Sequence, residues 1–195
     1  IRFPMDFAAA RKVMVDSQVR VNDVTDRGLQ AALLAVPRDR FLPEERAHLA
    51  YAEVEAEIAG GRRLMLARDL SKLLQALDAR EGETVLAIAA PYAAAVLAEM
   101  GLTVTAQEAD AEVFAVTGQV LADAKVTTVV APLSEPAAHD GAGYDIIVSE
   151  AATPVQPTAW IERLRIGGRL VAVERSGPAG KAVLYVRGRE GLSRR

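Results

Sequence analysis

Few residues of this chain are placed to do chemistry. Glu108 closes the apolar run Thr103–Gln107, about twenty residues beyond Ile88, the interval at which a carboxylate grips ribose hydroxyls in a nucleotide-binding α/β sheet. A carboxylate at a strand end is equally a solvated or helix-capping group, and nearby Asp110 is a candidate N-cap for the segment from Ala111 onward. Ser149-Glu150 ends another apolar run at the same rim, where a ligand-contacting group could stand. Ahead of both in the chain lies Ala89-Ala90-Pro91-Tyr92, the turn after the first strand of the pattern. A nucleotide-binding sheet keeps glycines there, because they admit positive φ and let backbone approach the ligand without a Cβ in the way. Two alanines forbid most of that, and Pro91 presets the first position of a helix. On the residues alone the segment reads as a short, stiff strand-to-helix turn.

Other chemistries are excluded by composition. The chain has no cysteine, which removes thiolate catalysis, disulfides and cysteine-ligated zinc. Its two histidines, His48 and His139, stand far apart without paired ligand spacing, so no metal site is expected. Net charge is −3, aromatic residues make up 5%, and no long Lys/Arg run occurs. That composition argues against nucleic acid as a partner. Arg187, Arg189, Arg194 and Arg195 read as a solvated basic tail. No apolar stretch of about 18 residues is present to span a bilayer, and no leader pattern precedes the first helix, so a cytoplasmic protein without a membrane partner is expected. Ile1 to Pro4 precede Met5-Asp6-Phe7, which would serve as a natural start, and those four residues read as an added remnant.

The elements that must position these residues follow from periodicity. The 195 residues are 51% hydrophobic, enough for one domain with a substantial core. From Asp6 to about Val36, spacings of three and four predict two helices separated by Val24-Thr25-Asp26, the second capped by Thr25 or Asp26 and ended by Pro37. An irregular region then reaches Gly60-Gly61, with a short helical segment around Glu44 to Leu49. Another helix is predicted over Asp69–Ala79, with its leucines on one face. Beyond Gly82 short apolar runs alternate with amphipathic segments, the pattern of a parallel sheet covered on both faces. Strands are predicted at Thr84–Ile88, Thr103–Gln107, Thr127–Val130, Asp145–Ser149 and Arg169–Glu174. Helices fill Ala93–Met100, Ala111–Ala122 and Pro157–Leu164, the last leaving through Gly167-Gly168. After the turn residues Ser176–Gly180, Ala182–Val186 should return antiparallel to Leu170–Val173.

Several of these segments carry a family resemblance. Val36-Pro37-Arg38-Asp39-Arg40-Phe41-Leu42-Pro43 resembles the V-P-R-x-x-F-V-P segment of the protein-L-isoaspartate O-methyltransferase family, with Ala50-Tyr51 at the family's distance. Gly82–Leu86 resembles the lead-in to its first strand, and Tyr92 with Ala94–Ala98 resembles the G-Y-Q-A-A-V-L-A helix after the cofactor loop. Glu108 matches the ribose-binding acid, Tyr144–Val148 the P-[FY]-D-x-I-x-V strand, and Leu164–Val171 the L-x-x-G-G-R-L-V segment. The correspondence is collinear from about Met14 to Val186. It implies a Rossmann-like, S-adenosylmethionine-dependent methyltransferase fold: a mostly parallel doubly wound sheet with an antiparallel last strand. Residues 1–80 would form an N-terminal helical cap and substrate-side segment of the same domain, and residues 81–195 the core. The activity implied is methylation of L-isoaspartyl residues in damaged proteins, so a protein or peptide is the implied partner.

Two motifs depart from the family. Its cofactor loop, V-L-E-I-G-x-G-x-G-Y, is here Val85-Leu86-Ala87-Ile88-Ala89-Ala90-Pro91-Tyr92, two residues shorter and without its glycines or acid. Its substrate loop, G-x-G-Q-T-I-S-Q-P, aligns with Gly61–Ala67, where Arg63 and Met65 replace threonine and serine. Neither can make a hydroxyl's hydrogen bonds, so no catalytic residue is assigned. Ala89, Ala90, Tyr92, Glu108 and Ser149 are the residues that would contact S-adenosylmethionine. The pattern points to a family member whose cofactor binding and methyl transfer are impaired or lost, so that it uses no cofactor. The alternative is an active enzyme using S-adenosylmethionine through a remodelled loop. In a non-catalytic member Arg62-Arg63 could still attract a carboxylate-bearing peptide, although such a pair more often faces solvent.

Overall fold

The computed structural model describes residues 4–195. The first three residues of the lead-in segment Ile1–Pro4 lie outside the described residues. Helix α1 (Phe7–Met14) starts on the Asp6 side chain, which accepts from Ala9 N–H, and runs on through a π-helical turn at Val15–Val19. Of the two cap candidates for α2 (Arg27–Ala35), Asp26 serves, accepting Leu29 N–H at 2.9 Å. The helix stops at Val36, which is extended ahead of Pro37 as its ring demands. The region expected to be irregular holds two 3₁₀ turns, Arg38–Phe41 and Glu44–Leu49, and an unforeseen hairpin of β1 (Glu57–Ala59) and β2 (Arg62–Arg63). Helix α3 (Ala67–Ala76) follows, with Leu70, Leu73 and Leu74 buried along one face.

Then the chain alternates: β3 (Thr84–Ile88), α4 (Pro91–Glu99), β4 (Thr103–Glu108), α5 (Ala111–Asp123), β5 (Thr127–Val130), β6 (Tyr144–Thr153), the single turn α6 (Thr158–Ile161), β7 (Leu164–Arg175), β8 (Gly180–Gly188) and β9 (Gly191–Arg194). These strands form one sheet in the order β5-β4-β3-β6-β7-β8-β9. The first five are parallel, and β8 runs antiparallel to β7 with Leu170 opposite Tyr185, as the sequence predicts. Val85 to Ile88 are all buried, because the central strand of a doubly covered sheet meets helices on both faces. One apolar cluster runs from Met14 and Leu29 through Leu64 to Val96 and Val148, so the N-terminal helices and the sheet share a core. No helix among the described residues is long and apolar enough to cross a membrane.

Three expectations need correction. The helix predicted over Pro157–Leu164 is only the four residues of α6, and Gly167-Gly168 is no helix exit but part of β7. A Cβ on Gly168 would lie 2.8 Å from Tyr144 O and 2.9 Å from Arg165 O. Glycine is therefore needed for close approach of β6 and β7, a requirement that in sequence looks like a helix stop. Second, β6 does not end at Ser149-Glu150 but continues to Thr153, with its pairing to β7 shifted between Val148 and Ala152. Third, the basic tail holds a strand that was not predicted: β9 pairs with β8 and Arg194 reaches Glu174 at 2.8 Å, while Arg189, Arg194 and Arg195 stay exposed as expected.

Candidate functional site

The turn after β3 keeps the backbone shape that its residues argued against. Ala89 has φ +53, a left-handed conformation that costs an L-residue about 1–2 kcal/mol. The expectation that alanine forbids it is corrected for Ala89. The surroundings hold it there: Ala89 N–H donates to Gln107 O at 2.9 Å, and its methyl is fully buried in a cluster with Ile88, Ile147, Trp160 and Ile161. Ala90 has ordinary negative φ and offers no side-chain cap, and Pro91 occupies the first position of α4, as its ring geometry predicts. Tyr92 is fully buried, its ring edge against Phe41 at 5.4 Å between centroids.

Glu108 lies at the end of β4 but not in solvent. It is 1% exposed, and Arg62 Nε reaches both its carboxylate oxygens, at 2.8 and 3.1 Å. Burial raises its pKa and Arg62 opposes the rise without cancelling it. The β1–β2 hairpin brings Arg62 there, and it packs closely: a Cβ on Gly60 would fall 2.2 Å from Asp110 Oδ2. Asp110 itself caps α5, accepting Glu112 N–H at 2.9 Å.

Ser149 is buried and turned to its own backbone, where its Oγ accepts Ala151 N–H at 3.1 Å. The next residue has the larger role. Glu150 is 9% exposed, and its two oxygens accept Met65 N–H and Ala93 N–H, each at 3.3 Å. Burial pushes its carboxyl up to about 7 against the pull of Arg38 and the two amides. Arg38, 1% exposed, donates from Nε to Ala50 O at 2.7 Å and from Nη2 to Met65 O at 2.8 Å. Its guanidinium carbon lies 4.6 Å from the centre of the Tyr92 ring, within cation–π range. Arg38 Nη1 and the Tyr92 hydroxyl have no hydrogen-bond partner among the described residues.

A strap covers the far side of the turn. Gln107, fully buried, donates to Pro132 O and Glu135 O, each at 3.0 Å, and accepts Ala137 N–H at 2.7 Å. Trp160 Nε1 donates to Leu133 O at 2.7 Å, and Leu133 packs on the cluster that holds Ala89. Beside the hairpin, a cleft of about 920 Å³ opens between Arg62–Met65 and α3 on one wall and β6–β8 on the other. Arg63, Met65 and Glu150 line it, whereas Ala89, Ala90, Tyr92, Glu108 and Ser149 do not. The structure thus separates the residues of the two departing motifs: Arg63 and Met65 face the cleft, and the five cofactor-contact candidates are buried elsewhere.

Arg38, Gln107 and Glu150 carry most of the polar contacts here; Arg38 and Gln107 were missed as site residues, and Glu150 was noted only with Ser149 at the strand end. Arg38 had a signal, being an arginine set among Val36, Pro37, Phe41 and Leu42 where a charge must be buried and paired. Gln107 offered none beyond standing next to Glu108.

A sheet of this order, covered by helices and closed by an antiparallel strand, has the Rossmann-like fold of S-adenosylmethionine-dependent methyltransferases. A Plasmodium falciparum protein assigned as a protein-L-isoaspartate O-methyltransferase, crystallised with S-adenosyl-L-homocysteine, superposes with a TM-score of 0.79 at 12% identity over 94% of this chain and 92% of that one. Another structure, of a protein-L-isoaspartate O-methyltransferase, gives 0.75 at 18% identity over 93% of this chain and 61% of that one. The chain belongs to the protein-L-isoaspartate(D-aspartate) O-methyltransferase (PCMT) family, whose model matches residues 10–187. Among relatives, protein-L-isoaspartate O-methyltransferase 1 of Rhodopseudomonas palustris is 36% identical over 172 residues, 85% of this chain and 69% of that one. The Methylorubrum extorquens enzyme is 33% identical over 193 residues, covering 95% and 83%.

Proposed function

We propose that this chain keeps the methyltransferase fold without binding S-adenosylmethionine, and that it acts as a non-catalytic protein- or peptide-binding member of its family. The observation that carries the reading is that residues aligned with the family's cofactor contacts are engaged by the chain itself. Glu108, the acid that would hold ribose, is engaged by Arg62 through both oxygens. Ala89 puts a methyl where the family has glycine, and that methyl is buried in the cluster that also holds Ile147 and Trp160. The strap tied by Gln107 adds Leu133 to the same cluster. A cofactor would have to displace an ion pair and a packed apolar cluster together, so the residues present do not fit it. The cleft beside Arg62-Arg63 is the surface left for a peptide, and its basic rim suits a carboxylate.

Calorimetric titration with S-adenosylmethionine and S-adenosylhomocysteine is the direct test. No heat of binding is expected in the micromolar range, and micromolar affinity for either compound would sink the reading.

A second reading, an active enzyme methylating L-isoaspartyl residues, draws support from Ala89, which retains the left-handed backbone that a glycine loop would use. Such a transfer rests on positioning a methyl donor against a carboxylate, with no special base. Turnover of an isoaspartyl peptide that scales with enzyme concentration would establish it.

A further inference from the structure

We propose that Glu150 is a built-in occupant of the anion seat at the start of α4, a side-chain carboxylate held where this fold receives the anionic part of a ligand. The inference rests on the closed-seat reading above and deepens it. In a doubly wound sheet the amides opening the first crossover helix form a ready anion site, because their N–H groups lack intrahelical partners. In α4 those amides get no help from the preceding residue, since Ala90 has no side chain that can cap. Glu150 supplies the acceptor instead: one oxygen takes Ala93 N–H and the other takes Met65 N–H. The carboxylate therefore ties the helix to the segment that aligns with the substrate loop. Arg38 completes the tie by taking Met65 O, so both backbone groups of Met65 are held by buried charges. The shifted pairing of β6 between Val148 and Ala152 is what places Glu150 at this height, and Ser149 Oγ closes the irregularity on Ala151 N–H. Facing Glu150 are Arg38 from the first 3₁₀ turn, Tyr92 from α4, and Glu108 of β4 with its partner Arg62. A ligand that brought its own carboxylate to α4 would have to displace this one.

Amide proton shifts of the isotopically labelled chain, followed against pH, test the assignment. Met65 and Ala93 should titrate together with one midpoint near the value of about 7 that burial gives Glu150, and neither should do so in Glu150→Gln. Amides that stay flat in the wild type, or that keep titrating in Glu150→Gln, would overturn the proposal. In Glu150→Ala, sodium formate should raise the melting temperature more than sodium chloride of equal ionic strength, by filling the vacated seat. An equal formate response in the wild type would count against it. Wild-type binding of S-adenosylhomocysteine would defeat the closed-seat reading alone, whereas a missing amide titration would defeat the occupant alone.

Discussion

The two ends of the central sheet both carry charged networks, and they are built on different terms. At the amino-terminal ends of β3 and β6 the charges lie near solvent and each is answered. Arg169 donates to Leu77 O at 2.7 Å, to Asp78 O at 3.0 Å and to both oxygens of Glu83, at 2.5 and 2.8 Å. Asp145 accepts from the amide and hydroxyl of Thr84 and from Arg165. At the carboxyl ends the charges are deeper and incompletely answered. Arg38 and Glu150 are nearly inaccessible, and Arg38 Nη1 and the Tyr92 hydroxyl are left without partners among the described residues. Buried polar groups without partners cost about 1–3 kcal/mol each, so packing does not explain why the upper end tolerates them. The lower end has the character of structural cement. The upper end holds buried charges that answer one another only in part.

Arg38 is the residue on which the upper network most depends. Arg38→Ala would strand the carbonyls of Ala50 and Met65 and leave Glu150 without its nearest cation, so a loss of about 3–5 kcal/mol is expected from urea unfolding. A loss below about 1 kcal/mol would show that the upper network contributes little to the fold.

Arg169→Ala probes the lower end and should cost about 2–3 kcal/mol at neutral pH. Its pH dependence has a definite sign. The hydrogen bond from Arg169 holds the Glu83 carboxyl below its ordinary value, so the pair's contribution is fully present above the unfolded carboxylate pKa and fades as pH falls through the lower folded value. Wild type and variant should therefore converge in acid, apart from the part owed to the two carbonyls. A gap that widens in acid would refute the assignment.

Gln107→Ala should cost about 1–2 kcal/mol and free the strap. Faster proteolytic cleavage between residues 131 and 138 is expected, and an unchanged cleavage pattern would mean that Leu133 and Trp160 hold the strap unaided.

The smallest effect separates neighbouring alanines. Ala89→Gly relieves left-handed strain while losing a buried methyl, so its net change should stay within about 1 kcal/mol of zero. Ala90→Gly has no strain to relieve and should destabilise by about 1–1.5 kcal/mol. Equal losses at both positions in thermal unfolding would remove the claim that the turn at Ala89 is held against its preference.

Thr84–Ile88 and Ala111 onward read correctly because continuous apolar runs and helical spacing are local consequences of burial. Gly167-Gly168 misled because a glycine needed for close packing and one that ends a helix look alike in one dimension. Ser149-Glu150 read as the end of a strand because nothing local announces that β6 continues and turns Glu150 inward. Arg62 was seen as a charge that could meet a carboxylate, but the carboxylate it meets is Glu108 of the same chain.

Apolar periodicity, turn chemistry and collinear family segments were enough to determine the order of the strands from β3 to β8, the parallel sheet with β8 reversed, and the places where cofactor and substrate loops depart from their relatives. Those are properties of neighbours in the chain, and each residue type reports its own surroundings. Which charges neutralise one another was decided only by the fold. Arg62 and Glu108 are 46 residues apart, and Met65 and Glu150 are 85 apart, and no local preference encodes such a meeting. A carboxylate's role depends on whether an amide, a guanidinium or water completes its hydrogen bonds, and at Glu150 the closing of the sheet against the N-terminal segment made that choice.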